Sequence, residues 1–204
     1  ADNASADRLF APYIFDSFYT DLCYDRESGD YFVLDNSLVF SDSDVRKDWA
    51  VHMINMGGKQ VTALGKYNRM YYENATVRYI NTMRYSGVCF TVAEAYARDL
   101  QYDLARQTVN MLLNAYGAEP LEDGLSGEEL VEAILHEKHK EFAGEGVRLF
   151  DLKRMGRQLV KKGNFGVGTS VTVNADDYRW LFPIPQSEYK YNDKITQNNP
   201  QWPF

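Results

Sequence analysis

YSGVCFTVAEAYARDLQYDLARQTVNMLLNAYG, residues 85–117, is the stretch from which the fold is read. From Tyr85 to Leu100, Val88, Val92 and Ala95 with Tyr96 recur at helical spacing beside Cys89, Ala93 and Leu100, which predicts a helix with a broad apolar face. A tight break at Gln101-Tyr102 follows. The next run, Asp103 to Tyr116, predicts a second helix with a face of Ala105, Val109, Leu112 and Tyr116, flanked by Thr108 and Leu113. Gly117 stands where a left-handed C-cap is needed. Two helices joined so closely are expected to pack antiparallel.

Downstream, Ser126 and Glu129 form an S-x-x-E capping box ahead of a helix carrying Leu130, Val131, Ile134, Leu135 and Phe142. Gly144 and Gly146 should interrupt it, and Val147 to Met155 reads as a further short helix with Leu149, Phe150 and Leu152 as its apolar residues. Gly163 to Val173 reads as a glycine-rich turn followed by a β-favouring run, Thr169 to Val173. From Trp180 onward, four prolines among Asn and Gln clusters predict an extended tail over the surface, docked through Trp180, Leu181, Phe182 and Ile184.

Upstream, the helical period fades. Residues 1–45 are rich in Tyr, Phe, Asp and Ser, with a short helix expected over 12–22, a short strand over 31–34 and a turn or helix start at Ser41 to Asp44. Residues 59–82 read as irregular, with a turn at Gly57-Gly58 and an extended stretch at Thr76 to Ile80. The expected organisation is one domain over 1–204: a loop-rich aromatic segment at 1–45, a helical scaffold over 85–155, and a hairpin with a docked tail over 156–204.

Composition narrows the function classes. With 29 acidic against 22 basic residues and no basic run longer than Lys161-Lys162, nucleic acid is not an expected partner. The chain has 15 Tyr and 11 Phe; about two-thirds of these are assigned to core and inter-helix packing, the remainder to contact surface. Cys23 and Cys89 set no framework, and Cys89 is expected to pack as a small hydrophobe. No apolar run approaches the ~20 residues that span a bilayer. The chain opens Ala1-Asp2-Asn3 without a Met or a signal peptide, so a processed or excised chain is expected.

The catalytic patterns in the sequence each fail on spacing or geometry. His136-Glu137-Lys138-His139 fails the zinc-helix spacing, because Lys140 occupies the position of the second histidine, and a solvated mixed-charge face is the better reading. Glu137, Glu141 and Glu145 share one helix face and therefore cannot flank a glycosidic bond from opposite sides. They are expected to pair with Lys138, Lys140, Arg148 or Arg154. Residues 163–168 have the wrong glycine spacing for a dinucleotide fingerprint, and neither a G-x-S-x-G elbow nor a nucleophilic triad is found. No catalytic residue, cofactor or metal is expected.

The helix pair resembles a tetratricopeptide repeat: Ala95-Tyr96 is followed by Tyr102 and Ala105, so small residues admit close approach and tyrosines fill the groove, with Leu100 where glycine is usual. A lone repeat cannot bury its faces, since about three are needed for a stack. Partner helices should come from Leu130 to Met155 or from repeats upstream in a longer chain.

Three segments taken in order extend the resemblance. Ala93-Glu94-Ala95-Tyr96-Ala97-Arg98 is followed by Ala105 and Asn110; next comes EKHKEFAGEGVRLFDLKR, residues 137–154; last, Pro183-Ile184-Pro185-Gln186-Ser187-Glu188 with Gln197-Asn198-Asn199-Pro200 near the end. Together they resemble the C-terminal region of the SusD/RagB family, whose members carry E-R-x-x-E-L-x-x-E-G-x-R-x-x-D-L-x-R and finish near P-I-P-x-x-E and Q-N-P-G-Y. The similarity is clear from about Asp44 onward. Lys138 replaces the usual Arg, Asp193 follows Asn192 in place of Pro, and Asn199 breaks the Q-N-P.

The resemblance implies a mainly α fold: tetratricopeptide-like helical hairpins (an α-α superhelix) with irregular loops, a short β-hairpin and an extended C-terminal tail. It also implies a surface-exposed lipoprotein of a Bacteroidetes-type outer membrane, binding a glycan or other nutrient as the lid of a TonB-dependent, SusC-like transporter. The lipidated cysteine would precede this chain, since neither Cys23 nor Cys89 has the apolar lead-in. The expected ligand contacts are the aromatics outside the helical pattern, Tyr13, Tyr19, Tyr24 and Tyr31, stacking on sugar faces without catalysis. The alternative is a tetratricopeptide-like interaction domain that docks to a transporter and touches no sugar.

Overall fold

The computed structural model describes residue 34 and residues 37–56, 58–65, 83–161 and 170–203. The helix expected over 12–22, the strand residues 31–33, the extended stretch at 76–80 and the glycine-rich turn at 162–169 lie outside them. The backbone divides into two compact units, Ala1–Val147 and Arg148–Phe204.

The first unit begins, in its described part, with a loop that buries Leu34, Leu38 and Phe40. Ser41 to Asp44 turns into a short helix, α1 (Arg46–Ala50). Two antiparallel strands follow, β1 (Val51–Met56) and β2 (Lys59–Leu64), in register from Val51 opposite Leu64 to Met56 opposite Lys59. Gly58 takes φ +84° at the turn, and its N–H donates to Asn55 Oδ1 at 3.1 Å. This ladder corrects the irregular reading from residue 59. Neither strand alternates cleanly in hydropathy, so pairing is visible only once the two backbones meet. Leu34 N–H donates to Thr62 O at 2.9 Å, and Leu34, Leu38, Phe40, Ala50, Leu64 and Ala143 close a small core.

Three longer helices form the main scaffold: α2 (Tyr85–Arg98), α3 (Tyr102–Tyr116) and α4 (Gly127–Glu141). Helix α2 packs against both others. Its buried positions are Ser86, Cys89, Phe90, Ala93, Glu94 and Ala97, whereas Val88 and Val92 are exposed. Of the broad face expected from the sequence, Cys89 and Ala93 are inside and Val88, Val92, Ala95 and Leu100 are outside. The small Ala and Cys side chains let the neighbouring helices come close, and Phe90 fills the middle, meeting the Phe142 ring edge-on at 6.4 Å. Complete burial of such a ring contributes about 1.5–3 kcal/mol. Helix α3 buries Ala105, Val109, Leu112 and Leu113 as expected, and Tyr116 is half-buried at its end.

The α2–α3 connection is a Schellman turn. Gln101 N–H reaches back to Tyr96 O at 2.9 Å and Leu100 N–H to Ala97 O at 3.3 Å, with Leu100 held at φ +61°. Gly117 closes α3 at φ +68°. At the start of α4, Ser126 is the N-cap but its hydroxyl makes no cap bond, so the expected capping box does not form. Gly127 follows at φ +54°, and Leu125 O accepts from Arg106 Nη1 at 2.5 Å. Gly144 and Gly146, at φ +79° and +76°, end the helical run.

The second unit holds α5 (Val147–Arg154), whose first residue belongs to the first unit, and the antiparallel pair β3 (Leu159–Lys161) and β4 (Val171–Val173). On α5 the buried residue is Asp151, bonded to Arg154 at 2.7 Å, while Phe150 is exposed. The tail is less extended than expected. A 3-10 turn spans Tyr178–Trp180 and a helix, α6 (Gln186–Tyr191), follows Pro185. Pro185 is compatible with a helix start because only a helix interior requires the N–H it lacks. The tail folds onto itself: Trp180 Nε1 donates to Asn174 O (2.6 Å), Trp202 Nε1 to Leu181 O (2.7 Å), and Asn198 Oδ1 accepts from Ile184 N–H (2.8 Å).

Candidate functional site

The four expected ligand-contacting residues, Tyr13, Tyr19, Tyr24 and Tyr31, lie outside the described residues. What the described residues place together is a charged hub along the C-terminal half of α4 and, beside it, an apolar groove on the α2–α3 hairpin.

The hub is built from the carboxylates that the sequence placed on one face. Glu137 receives Arg46 Nη2 at 2.7 Å and Lys140 Nζ at 2.9 Å. Glu141 receives Arg84 Nη1 at 2.9 Å and the Ser86 hydroxyl at 3.1 Å, and Glu145 receives Arg84 Nη2 at 2.8 Å. Lys140 was foreseen as a partner. Arg46 and Arg84 were not, because Arg46 lies 91 residues from Glu137 and Arg84 lies 57 and 61 residues from Glu141 and Glu145, beyond any local pattern.

Arg46 is the centre. Its side chain is fully buried beside an equally buried Asp44, bonded through Nε at 3.0 and 3.2 Å and Nη2 at 2.8 Å. Its guanidinium lies 4.8 Å from the Tyr116 ring centre and 5.7 Å from that of Phe40. Fork geometry and ring contact both suit arginine rather than lysine. Burial by itself pushes the Asp44 carboxyl up, but the Arg46 side-chain and backbone hydrogen bonds and the charges of Arg46 and Lys140 together hold it below the usual carboxylate range. Burial and the Glu141 charge push the Tyr116 phenol up to about 12, against the opposing pull of Arg46, Ser86 and Arg84.

This arrangement cross-braces the molecule. Each acid is met by a cation from another part of the fold, Arg46 for Glu137 and Arg84 for Glu141 and Glu145. Among the described residues no group of three His, Cys, Asp or Glu side chains is placed to hold a metal ion. The EKHKE segment that looked most like chemistry serves to hold the loop at 40–46 and the start of α2 onto α4.

The groove is open and apolar. One part, of about 620 Å³, is bounded by Met83, Tyr85, Met111 and Ala115 with Tyr116 and Glu141 at its side; a second part, of about 410 Å³, continues past Val88, Val92, Tyr96 and Thr108. Tyr85 and Met111 line both parts, which adjoin there.

Comparison with known proteins agrees with this architecture. The model of the SusD family matches residues 17–202. A SusD superfamily protein from Bacteroides vulgatus ATCC 8482 is 26% identical, with a TM-score of 0.61 over 79% of this chain and 36% of its own. A SusD superfamily protein from Bacteroides fragilis is 27% identical, with a TM-score of 0.56 over 80% and 36%. A protein described as a SusD-like carbohydrate binding protein from Bacteroides vulgatus shares the fold at 22% identity, with a TM-score of 0.61 over 90% and 45%. The chain therefore spans 36% to 45% of the length of these three solved structures. No curated protein matches it in sequence.

Proposed function

From the premise that this chain belongs to the SusD family, we propose that it is part of a receptor that captures a glycan or related nutrient without transforming it. The family match over residues 17–202 carries this reading. The carbohydrate-binding description of a fold relative and the cross-braced carboxylates of α4 support it. Ligand contact is assigned to Tyr13, Tyr19, Tyr24 and Tyr31, whose rings would stack on the apolar faces of sugars while Asn, Asp or Arg side chains bond the hydroxyls. The charged hub braces the described scaffold. No described helix is long and apolar enough to cross a membrane. The protein is placed at the outer-membrane surface, held by a lipid on a cysteine preceding this chain, as the lid of a TonB-dependent, SusC-like transporter.

Isothermal titration of the intact protein against a glycan panel tests the proposal. Binding of at least one glycan with no reducing-end release is expected, weakened by Tyr19→Ala and Tyr24→Ala while assembly with the transporter persists. Uniform silence across the panel, or turnover of an oligosaccharide, would refute it. The open apolar hairpin face favours a second reading, an interaction domain without sugar contact; there the same tyrosine variants would leave every ligand response unchanged.

A further inference from the structure

The loop at 118–126, between α3 and α4, is tied back onto α3 at two places. Leu121 N–H donates to Asn110 Oδ1 at 2.8 Å, and Leu125 O accepts from Arg106 Nη1. Asn110 and Arg106 are four residues apart, so the two ties stand on successive turns of one helix face, about 6 Å from each other. An extended backbone from residue 121 to residue 125 would reach about 13 Å. The chain therefore bows out between its ties, and the turn falls at Asp123-Gly124, both exposed. Gly124 takes φ +91°, and a Cβ placed on it would have nothing within 4 Å. Among the described residues, neither the Asp123 carboxyl nor the Gly124 N–H takes part in a hydrogen bond or an ion pair. The sequence holds no second Asp-Gly pair and no Asn-Gly pair.

We propose that Asp123-Gly124 is a covalent modification site, at which the chain isomerises to isoaspartate without an enzyme. The reaction needs a backbone nitrogen that can come up to the carboxyl of the residue before it. Glycine offers that nitrogen with no Cβ in the way and with the widest choice of backbone angles. In this turn both groups are uncommitted, and the space around Gly124 is open. The Gly124 nitrogen attacks Cγ of the Asp123 carboxylic acid. The N–Cγ bond forms, the amide proton and the carboxyl hydroxyl leave as water, and a five-membered succinimide results. Water then adds at one of the two ring carbonyls. Opening at Cγ restores aspartate; opening at the former backbone carbonyl leaves the chain running through Cβ and Cγ. One water is lost and one regained, and nothing is oxidised or reduced. The isomer carries one extra backbone atom, ~1.5 Å, between two fixed ties. That added length strains the Arg106 tie two residues ahead of the start of α4, and Arg106 is the side chain that also holds Asp103. This inference does not rest on the receptor reading.

The test ages the intact protein for several weeks in buffer made with heavy-oxygen water, beside a synthetic peptide of residues 121–127. Mass spectrometry with electron-transfer fragmentation separates isoaspartate from aspartate, because only the isomer has its Cα–Cβ bond in the chain. Isoaspartate should accumulate at residue 123 with one solvent oxygen per conversion. Its rate in the folded protein should lie within ~10-fold of that in the free peptide, since the fold holds neither group. Asp123→Glu keeps the charge but must close a six-membered ring, and should convert at least ~10-fold more slowly. Absence of isoaspartate at 123 in the aged protein overturns the proposal; conversion of the free peptide alone would show that the fold protects the pair. Isoaspartate spread over other aspartates and not concentrated at 123 overturns it too. Independently, aged native protein should melt below fresh protein, whereas Asp123→Glu aged alongside should keep its starting melting temperature. A sample rich in isoaspartate that melts with the fresh protein refutes the strain on the Arg106 tie.

Discussion

Replacing Arg46 with methionine removes the charge at the centre of the hub while keeping most of the volume. In the native protein the guanidinium binds Asp44 through three contacts and Glu137 through one, with both Arg46 and Asp44 fully buried. After Arg46→Met, Asp44 retains only its backbone bond from residue 46 and Lys140 Nζ at 4.0 Å, while Glu137 keeps Lys140. Stranding one member of a buried pair costs about 3–5 kcal/mol, and the surviving Lys140 places this case near ~3. For a domain of this size that is a fall in melting temperature of roughly 6–12 °C. Urea unfolding followed by far-UV circular dichroism at pH 7 measures it. Asp44→Asn in the same background removes the stranded charge and should restore about 1–2 kcal/mol.

The pH dependence has a definite sign. Because the Asp44 carboxyl lies below its usual range in the folded state, the pair's contribution is complete above the ordinary carboxylate pKa and is lost as pH falls through the lowered value. In the methionine variant burial is opposed only by the residue-46 N–H and the Lys140 charge, so Asp44 takes up a proton more readily. The stability gap between the two proteins is therefore widest at neutral pH and closes below about pH 4. A gap under ~1 kcal/mol at pH 7, or a double variant no more stable than Arg46→Met, would refute the account of Arg46 as the neutralising partner.

Leu100→Gly should stabilise the protein by about 0.5–1 kcal/mol in urea melts, because φ +61° is strained for leucine and its side chain is 72% exposed. Gly117→Ala should cost about 2–3 kcal/mol, since a Cβ would meet Ser43 O at 2.5 Å, whereas Gly146→Ala, with the same left-handed φ but open space, should cost about 1. In an absorbance titration at 295 nm, one phenol should ionise near pH 12 and disappear from the curve in Tyr116→Phe. Because that pKa is raised on folding, stability is intact below pH 10 and falls as pH rises towards 12.

Much of the scaffold was legible along the chain. Helix positions in 85–155 follow from the apolar period, and Gly117, Gly144 and Gly146 punctuate it as their left-handed φ values require. The broad apolar face read on α2 contains both Cys89 and Ala93, which are buried, and Val88 and Val92, which are exposed, because close packing selects the smaller side chains. Those two valines line the groove, so the periodicity was sound. The β1–β2 ladder left no alternation to read, and Ser126 had a capping-box pattern without the geometry.

The sequence alone determined a mainly helical member of a recognisable family, and that Glu137 and Glu141 share a helix face. Both are set by local spacing, which a linear chain displays directly. Tertiary structure alone decided which cations meet those acids, since Arg46 and Arg84 reach α4 from distant segments and their burial makes each contact strong. It also decided which of two apolar stripes on the hairpin is inside, because that choice depends on side-chain volume against a neighbour, and no single segment contains its neighbour.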